Sequence, residues 1–383
     1  MAARRKKARP PAIDPEFDRR MMAAALRIGR RNLGQTGVNP AVGCVIVRTD
    51  GERVVVGRGA TAVGGRPHAE KEALKEARAA ARGATAYVTL EPCAHEGRVK
   101  PCSRALVEAG VARVVTAMDD PNPRTNGKGH QLLRDAGIAV TTGVLAEEAA
   151  RAHSGHVALI TKGRPHLTLK LAVSADGMIG RRTGERMIIT GELAFAAVQA
   201  MRTTFDVVMV GIGTVLIDDP RLTVRLPGLE GRSPARVILD AKARVPLDSR
   251  LVQSAKDNPL FVAVGPDVPG ERVAALEKAG VRAIALPAGP GGGVDCAALL
   301  ADLAAKGYQR VLAEGGAEVA ASLVTGDLVD EAVMFRAPVV VGHDGVRALA
   351  GMALSAIERS PRYRLVETTW VGPDQLRRYL RAA

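Results

Sequence analysis

Residues 67–102 read PHAEKEALKEARAAARGATAYVTLEPCAHEGRVKPC. The stretch opens on Pro67-His68-Ala69-Glu70 and continues as a polar, alanine-rich helical run towards Gly83. It then crosses a short strand at Tyr87–Leu90 and ends on a loop bounded by Cys93 and Cys102. One imidazole and two thiolates are ligands of the kind zinc accepts, and three of them leave a fourth position for water. Zinc draws the pKa of such a water towards neutrality. His68 and Glu70, two apart at a helix start, can divide the work: the ring holds metal while the carboxylate swings into the same pocket to carry protons. The second helix start, at about Pro101, offers a dipole and free N–H groups that favour negative sulfur. Two cysteines nine apart can also be core residues or part of a closed structural site, with His95 as the fourth ligand.

Outward from this stretch the pattern is α/β. Upstream, Phe17, Met21, Ala24, Ala25 and Ile28 follow helical spacing. Residues 41–47 (AVGCVIV) read as a buried strand, Asp50-Gly51 as a hairpin turn, and 53–57 as the returning strand. Downstream come a helix to about Gly110, a strand in VARVVTAM, a helix over 131–137 and a strand in IAVTTGV. The alternation predicts a mostly parallel sheet. After Gly163-Arg164-Pro165 a second set begins. HLTLKLAVS, DVVMVGIG, ARVILD, LFVAV, VRAIALP and YQRVLAEGG are strand-like, with helical stretches at 192–203, 270–279, 296–306 and 317–324. No Gly/Ser-rich linker occupies 150–165, so the reading is two domains, 16–158 and 164–383, behind a basic disordered tail over 1–15.

Composition narrows the function classes. The 383 residues are 47% apolar and 25% charged, which excludes disorder for most of the chain. No apolar run reaches the roughly 18 residues of a membrane span, and the start lacks the apolar stretch of a secretory signal, which points to the cytoplasm. Lys and Arg total 54 against 40 Asp and Glu, a net charge of +14 that favours anionic partners. Aromatic residues make up 3%, few platforms for stacking single-stranded nucleic acid. AGPGGG at 288–293 lacks the Lys-Ser/Thr of a phosphate loop.

His-x-Glu followed by Pro-Cys and a further Cys is the pattern of zinc nucleobase deaminases, in which the glutamate is acid/base and not a ligand. Enzymes acting on nucleic acid carry a short Cys-x-x-Cys; here eight residues separate the cysteines, bringing His95, Arg98 and Lys100 beside the metal, where cations suit a phosphate. NPAVGCVIV, GGRPHAE, GATAYVTLEPCAHEGRVKPC and DPNP…GKG, followed by LKLAVSADG, TVLIDDPRLT and AEGGAEVA, resemble the bifunctional riboflavin-biosynthesis family. That family joins a diaminohydroxyphosphoribosylaminopyrimidine deaminase to a 5-amino-6-(5-phosphoribosylamino)uracil reductase. The resemblance spans about residues 16–375. It implies a cytidine-deaminase-like three-layer domain followed by a dihydrofolate-reductase-like α/β domain, with self-association into a homo-oligomer.

The same resemblance implies zinc on His68, Cys93 and Cys102, Glu70 as proton carrier, and Asn39 and His95 as substrate contacts. In the second half, ligands of open α/β sheets gather at the carboxyl ends of strands, and no G-x-G-x-x-G follows the first strand, against a Rossmann fold. Resemblance places NADPH beside Ala172, Thr190, Thr214, Asp218 and the segment Gly316, Ala317, Glu318, Val319, Ala320, Ala321 and Ser322. It places a phosphorylated pyrimidine substrate beside Arg186, Arg202, Leu222, Arg225 and Glu314. Val38, Val99-Lys100 and Ile188 depart from the family's usual residues, the last where an aromatic side chain often lies near the nicotinamide. Rival readings are a nucleic-acid or nucleoside zinc deaminase with an accessory domain, a zinc-stabilised binding protein, and a chain with one active half.

Overall fold

A computed structural model describes residues 14–95 and 100–382. The chain divides into two compact units between Gly163 and Arg164. Of the tail expected over 1–15, residues 1–13 lie outside the described residues. The last two belong to the first helix, which starts at Pro15 and is capped by Asp14, whose carboxylate accepts the Phe17 N–H at 3.1 Å.

In chain order the first unit contains α1 (Pro15–Gly29), β1 (Gly43–Arg48), β2 (Val54–Ala60), α2 (Ala69–Ala77), β3 (Thr85–Val88), α3 (Cys102–Ala109), β4 (Arg113–Thr116), α4 (Lys128–Asp135), β5 (Ala139–Thr141), α5 (Ala146–Ala152) and α6 (Ser154–Lys162). The sheet order is β2-β1-β3-β4-β5. Alternation along β1 makes the layers: Cys44 and Ile46 pack with residues of α2 and α3, while Val45 and Val47 pack with Phe17, Met22 and Leu26 of α1. Three layers result. The expected mostly parallel sheet is corrected to a mixed one, because β1 runs antiparallel to both β2 and β3. A strand flanked by a tight hairpin on one side cannot continue a βαβ order. Gly43 is required by packing: a Cβ there would fall 1.9 Å from the Ala25 carbonyl of α1.

The second unit contains β6 (His166–Val173), β7 (Met178–Arg181), α7 (Glu192–Arg202), β8 (Val207–Gly211), α8 (Ile212–Asp218), β9 (Ala235–Leu239), α9 (Arg250–Gln253), β10 (Leu260–Val264), α10 (Gly270–Lys278), β11 (Arg282–Ala285), α11 (Cys296–Ala305), β12 (Arg310–Ala313), α12 (Ala317–Thr325), β13 (Glu331–Arg336), β14 (Gly345–Arg347), α13 (Ser355–Glu358), β15 (Tyr363–Val371) and β16 (Asp374–Arg381). Nine strands form one sheet in the order β11-β10-β9-β8-β12-β6-β13-β16-β15, parallel as far as β13 and antiparallel at the closing hairpin. One face is a single core, where Leu167, Leu169 and Leu171 meet α11 and α12. The opposite face is broken in two. Val208, Val210 and Ile238 pack beneath α9 and α10, and Val333 and Phe335 pack beneath α7. Lys170 of β6 and Glu314, just past β12, come from the two strands between these patches, an interruption that creates the second site.

Candidate active site

The first site is assembled at two helix starts. His68 is the residue before α2, in extended backbone, and Cys102 is the first residue of α3. Cys93 lies on the loop after β3, and its sulfur accepts the Cys102 backbone N–H at 3.3 Å, while its carbonyl accepts from the Ser103 N–H and hydroxyl. The free N–H groups of α3 thus fix the loop and favour a thiolate. His68 Nδ1 lies 3.7 Å from Cys93 Sγ and 3.5 Å from Cys102 Sγ. Tetrahedral zinc with ordinary bond lengths sets N and S about 3.5 Å apart, so the three atoms fit that ion. Among the described residues, no fourth His, Cys, Asp or Glu joins this cluster. His95 is therefore not placed as a closing ligand. Arg98 lies outside the described residues.

The electrostatics agree with an acid/base pair beside a metal. Its hydrogen bond with Cys102, and those from His68 and the Cys102 backbone, hold the Cys93 thiol down to about 4. The bond to Cys93, burial and the Glu70 charge push Cys102 up. Hydrogen bonding to Cys93 raises His68. Burial, then the Cys93 charge, raise the Glu70 carboxyl, and its Oε2 is buried without a hydrogen-bond partner. A glutamate lifted in this way holds a proton more readily than an exposed carboxylate, which suits a group that takes and returns one. Asn39 sits against Gly65, where φ is +88° and a Cβ would come 2.4 Å from the Asn39 amide nitrogen. Glycine is what lets that amide approach.

In the second unit, Arg202 and Glu314 pair inside the gap, through Nε at 2.5 Å and Nη2 at 2.8 Å, and Arg202 Nη1 donates to the Thr223 carbonyl at 2.9 Å. Burial pushes the Glu314 carboxyl up, but Arg202, Lys170 and Arg225 more than offset it and hold it below the ordinary range. Burial, aided by Arg202, lowers Lys170. Leu222 is buried at φ +54° on the loop that carries Arg225, whose guanidinium lies 5.3 Å from the Phe195 ring centre. Arg186 meets Asp218 at 3.6 Å on the surface. β8 and β12 are parallel neighbours, so Thr214 of α8 and Gly316 at the start of α12 share one end of the sheet, a Cβ on Gly316 falling 3.6 Å from the Thr214 hydroxyl. Gly315 and Gly316 have φ +93° and +90°, the left-handed backbone of a tight strand-to-helix cradle. Ala320 is fully buried and the Ser322 hydroxyl faces Cys296, so these two of the 316–322 segment turn towards the core. Ala172 and Thr190 are partly buried, and Ile188 is 76% exposed.

Two residues of these sites are given no role by the sequence. Lys170 interrupts an otherwise apolar strand, a signal visible in LKLAVS. Glu91, two residues before Cys93, is buried and accepts four backbone N–H groups, from Asp120, Gly127, Gly129 and His130.

Comparison with known proteins fits both geometries. Residues 15–118 match the cytidine and deoxycytidylate deaminase zinc-binding region, and residues 165–376 match the RibD C-terminal domain. The riboflavin biosynthesis protein RibD of Escherichia coli is 37% identical over 377 residues, covering 93% of this chain and 97% of its own. The chain belongs to the RibD family of riboflavin biosynthesis proteins. RibD of Bacillus amyloliquefaciens is likewise 37% identical, over 92% of this chain and 93% of its own. Among solved structures, RibD of Acinetobacter baumannii superposes with a TM-score of 0.83 at 35% identity, covering 97% of this chain and 100% of its own. The Thermotoga maritima diaminohydroxyphosphoribosylaminopyrimidine deaminase/5-amino-6-(5-phosphoribosylamino)uracil reductase gives 0.82 at 32%, covering 96% and 99%. As a RibD protein the chain is a bifunctional deaminase and reductase of riboflavin biosynthesis, a hydrolase and an oxidoreductase, with zinc and NADPH as cofactors. Its fold is the deaminase-like unit followed by the RibD reductase unit. No helix among the described residues is long and apolar enough to cross a membrane.

Proposed function

We propose that the deaminase domain, 16–158, hydrolyses the amino group of 2,5-diamino-6-(5-phosphoribosylamino)pyrimidin-4(3H)-one, and that the reductase domain, 164–383, then reduces the ribosyl group to ribityl. The observation that carries the reading is the His68–Cys93–Cys102 cluster, with its sulfurs 3.7 and 3.5 Å from Nδ1, beside the unpartnered Glu70 Oε2. His68, Cys93 and Cys102 hold zinc, which when bound supplies the Lewis acidity that makes water nucleophilic near neutral pH. Glu70 takes one proton of the attacking water on Oε2 and delivers it to the ring, then takes the second proton of that water and passes it to the amino nitrogen, which leaves as ammonia as its bond to the ring carbon breaks. Asn39 and His95 contact the substrate, and Gly65 supports the first of these.

In the reductase, Ala172, Thr190, Thr214, Asp218 and the stretch Gly316–Ser322 hold NADPH, which when bound supplies the hydride. Arg186, Arg202, Leu222, Arg225 and Glu314 form the substrate side. Arg225 offers its charge to the phosphate, and the Arg202–Glu314 pair sets the wall of the pocket. Supporting this reading, β8 and β12, the parallel strands that lead into Thr214 and Glu314, end at the same side of the sheet. A cytoplasmic setting and association with further copies complete the reading, the latter checked by light scattering.

The test is coupled turnover of the diaminopyrimidinone phosphate by zinc-loaded protein, read at ammonia release and NADPH absorbance. Glu70→Gln is expected to keep about one zinc per chain while ammonia release falls by about 10²–10⁴, the usual worth of a general acid/base. Residual turnover near the parent rate overturns the role of Glu70; a metal-free protein with full deaminase activity overturns the site.

A further inference from the structure

One face of α7 meets the loop that carries Arg225 at successive turns. Phe195 lies under the Arg225 guanidinium, and Gln199, four residues on, accepts the Arg225 backbone N–H on Oε1 at 2.8 Å. Arg202, three further, donates to the Thr223 carbonyl. These positions share one helix face. The Arg225 N–H requires an acceptor, which fixes the Gln199 amide with Oε1 towards the loop. Its Nε2 is then left buried with no partner, in a residue only 2% exposed. A buried amide without an acceptor is rare enough to need a reason. No ion pair joins Arg225 to a carboxylate among the described residues; Arg202 and Arg221 add to the positive field around it, and the carboxylate that acts on it, Glu314, is already paired with Arg202.

We propose that Phe195 and Gln199 are part of the reductase's phosphate-recognition site, with Phe195 holding the Arg225 guanidinium in place and Gln199 Nε2 donating to a phosphate oxygen beside it. A guanidinium outside any ion pair and an amide donor without an acceptor, on two residues joined by a hydrogen bond, match a group carrying negative charge and several acceptor oxygens. Neither residue was among the site positions indicated by sequence. The proposal rests on the reading of Arg225 as a phosphate contact.

The experiment compares reductase KM and kcat for 5-amino-6-(5-phosphoribosylamino)uracil and for its dephosphorylated counterpart. Arg225→Met tests the underlying reading: KM for the phosphorylated compound alone should rise at least about tenfold, the size of a charged hydrogen bond. Gln199→Met removes donor and acceptor and should raise the same KM about tenfold with kcat nearly unchanged. Gln199→Glu keeps the acceptor for the Arg225 N–H but sets an anion against the phosphate, and should be worse than Gln199→Met. If Gln199→Glu matches the parent, Gln199 only positions the loop and the proposal fails. Equal changes for both compounds overturn it too. If Arg225→Met shows no preference for the phosphorylated compound, the reading of Arg225 falls; if it does and the Gln199 variants do not, only the proposal falls. Should neither Gln199 variant melt cooperatively, Phe195→Leu, at a half-exposed position, decides: a selective rise in KM supports the wall, and none overturns it.

Discussion

Arg202 and Glu314, 112 residues apart in the chain, form a two-pronged ion pair in the interior of the reductase unit, with each side chain less than a tenth exposed. Each reached the site by a different route, Arg202 from the end of α7 and Glu314 from the end of β12. Desolvating two ions is compensated only while both are present. Arg202→Met leaves Glu314 charged, buried and beside Lys170, and is expected to cost about 3–5 kcal/mol. Urea unfolding of the full chain should show the corresponding loss in the reductase transition, and Arg202→Met/Glu314→Gln should recover much of it. Equal losses in the single and double variants would show that the pair has no mutual dependence.

This pair also marks where the sequence becomes silent. The zinc cluster was legible because its ligands sit at local features, a helix start after Pro67 and another after Pro101, each with its own signature. The strands of both cores were legible as apolar runs such as Val207–Gly211. The closing hairpin was not: β15 is mostly exposed, so YRLVETTWV carries too few buried positions to show a period of two. DVVMVGIG reads as a strand to Gly213, yet the chain turns at Gly211 into α8, because α12 packs there and a Cβ on Gly211 would lie 2.7 Å from Val319. Tertiary packing decided that boundary. Spacing of 112 residues carries no signal at all for an ion pair.

Glu91 organises the loop over 119–130 beside the zinc cluster. Its two oxygens gather four backbone N–H groups at 2.8–3.3 Å, including those at the start of α4. Gly129 is needed for that approach, since a Cβ would stand 2.0 Å from the Pro92 carbonyl. Glu91→Gln turns an amide nitrogen towards N–H donors and should cost about 2–4 kcal/mol, from lost charged hydrogen bonds and stranded donors. Amide hydrogen exchange should accelerate at Gly127, Gly129 and His130 before the rest of the unit. Unchanged protection at these amides would remove Glu91 from this role.

His153 gives the deaminase unit a pH-dependent stability. Burial lowers its ring to about 4, with the His156 ring adding to the effect, and its Nε2 bonds to the Thr89 hydroxyl at 3.0 Å. The folded state favours the neutral ring, so between about pH 6.5 and 4 the unfolded chain binds more protons and stability falls as pH falls. The full contribution is present above the unfolded value and is on the order of 3 kcal/mol. His153→Leu should flatten the difference in denaturant midpoint between pH 7.5 and 4.5 relative to the parent, while lowering the midpoint at pH 7.5. A parent and variant with parallel pH profiles would assign the dependence elsewhere.

Lys170 offers the opposite balance to Arg202. It contributes an ammonium to the polar gap, burial lowers its pKa, and Glu314 already has Arg202 as its bidentate partner. Removing the ammonium therefore strands no ion, and replacing a desolvated charge by an apolar side chain of similar length is neutral or stabilising. Lys170→Met should keep the unfolding free energy within about 1 kcal/mol of the parent or raise it, whereas reductase turnover should fall by about tenfold or more if the ammonium faces the reacting ribosyl group, on the scale of a charged hydrogen bond. The two measurements separate the roles: a stability loss comparable to that of Arg202→Met makes Lys170 a partner of Glu314, and a loss of turnover at full stability makes it a group presented to the substrate. An ammonium with lowered pKa gives up its proton more readily than an exposed one, so the parent's reductase rate should decline at a lower pH than that of Lys170→Arg, whose guanidinium stays charged.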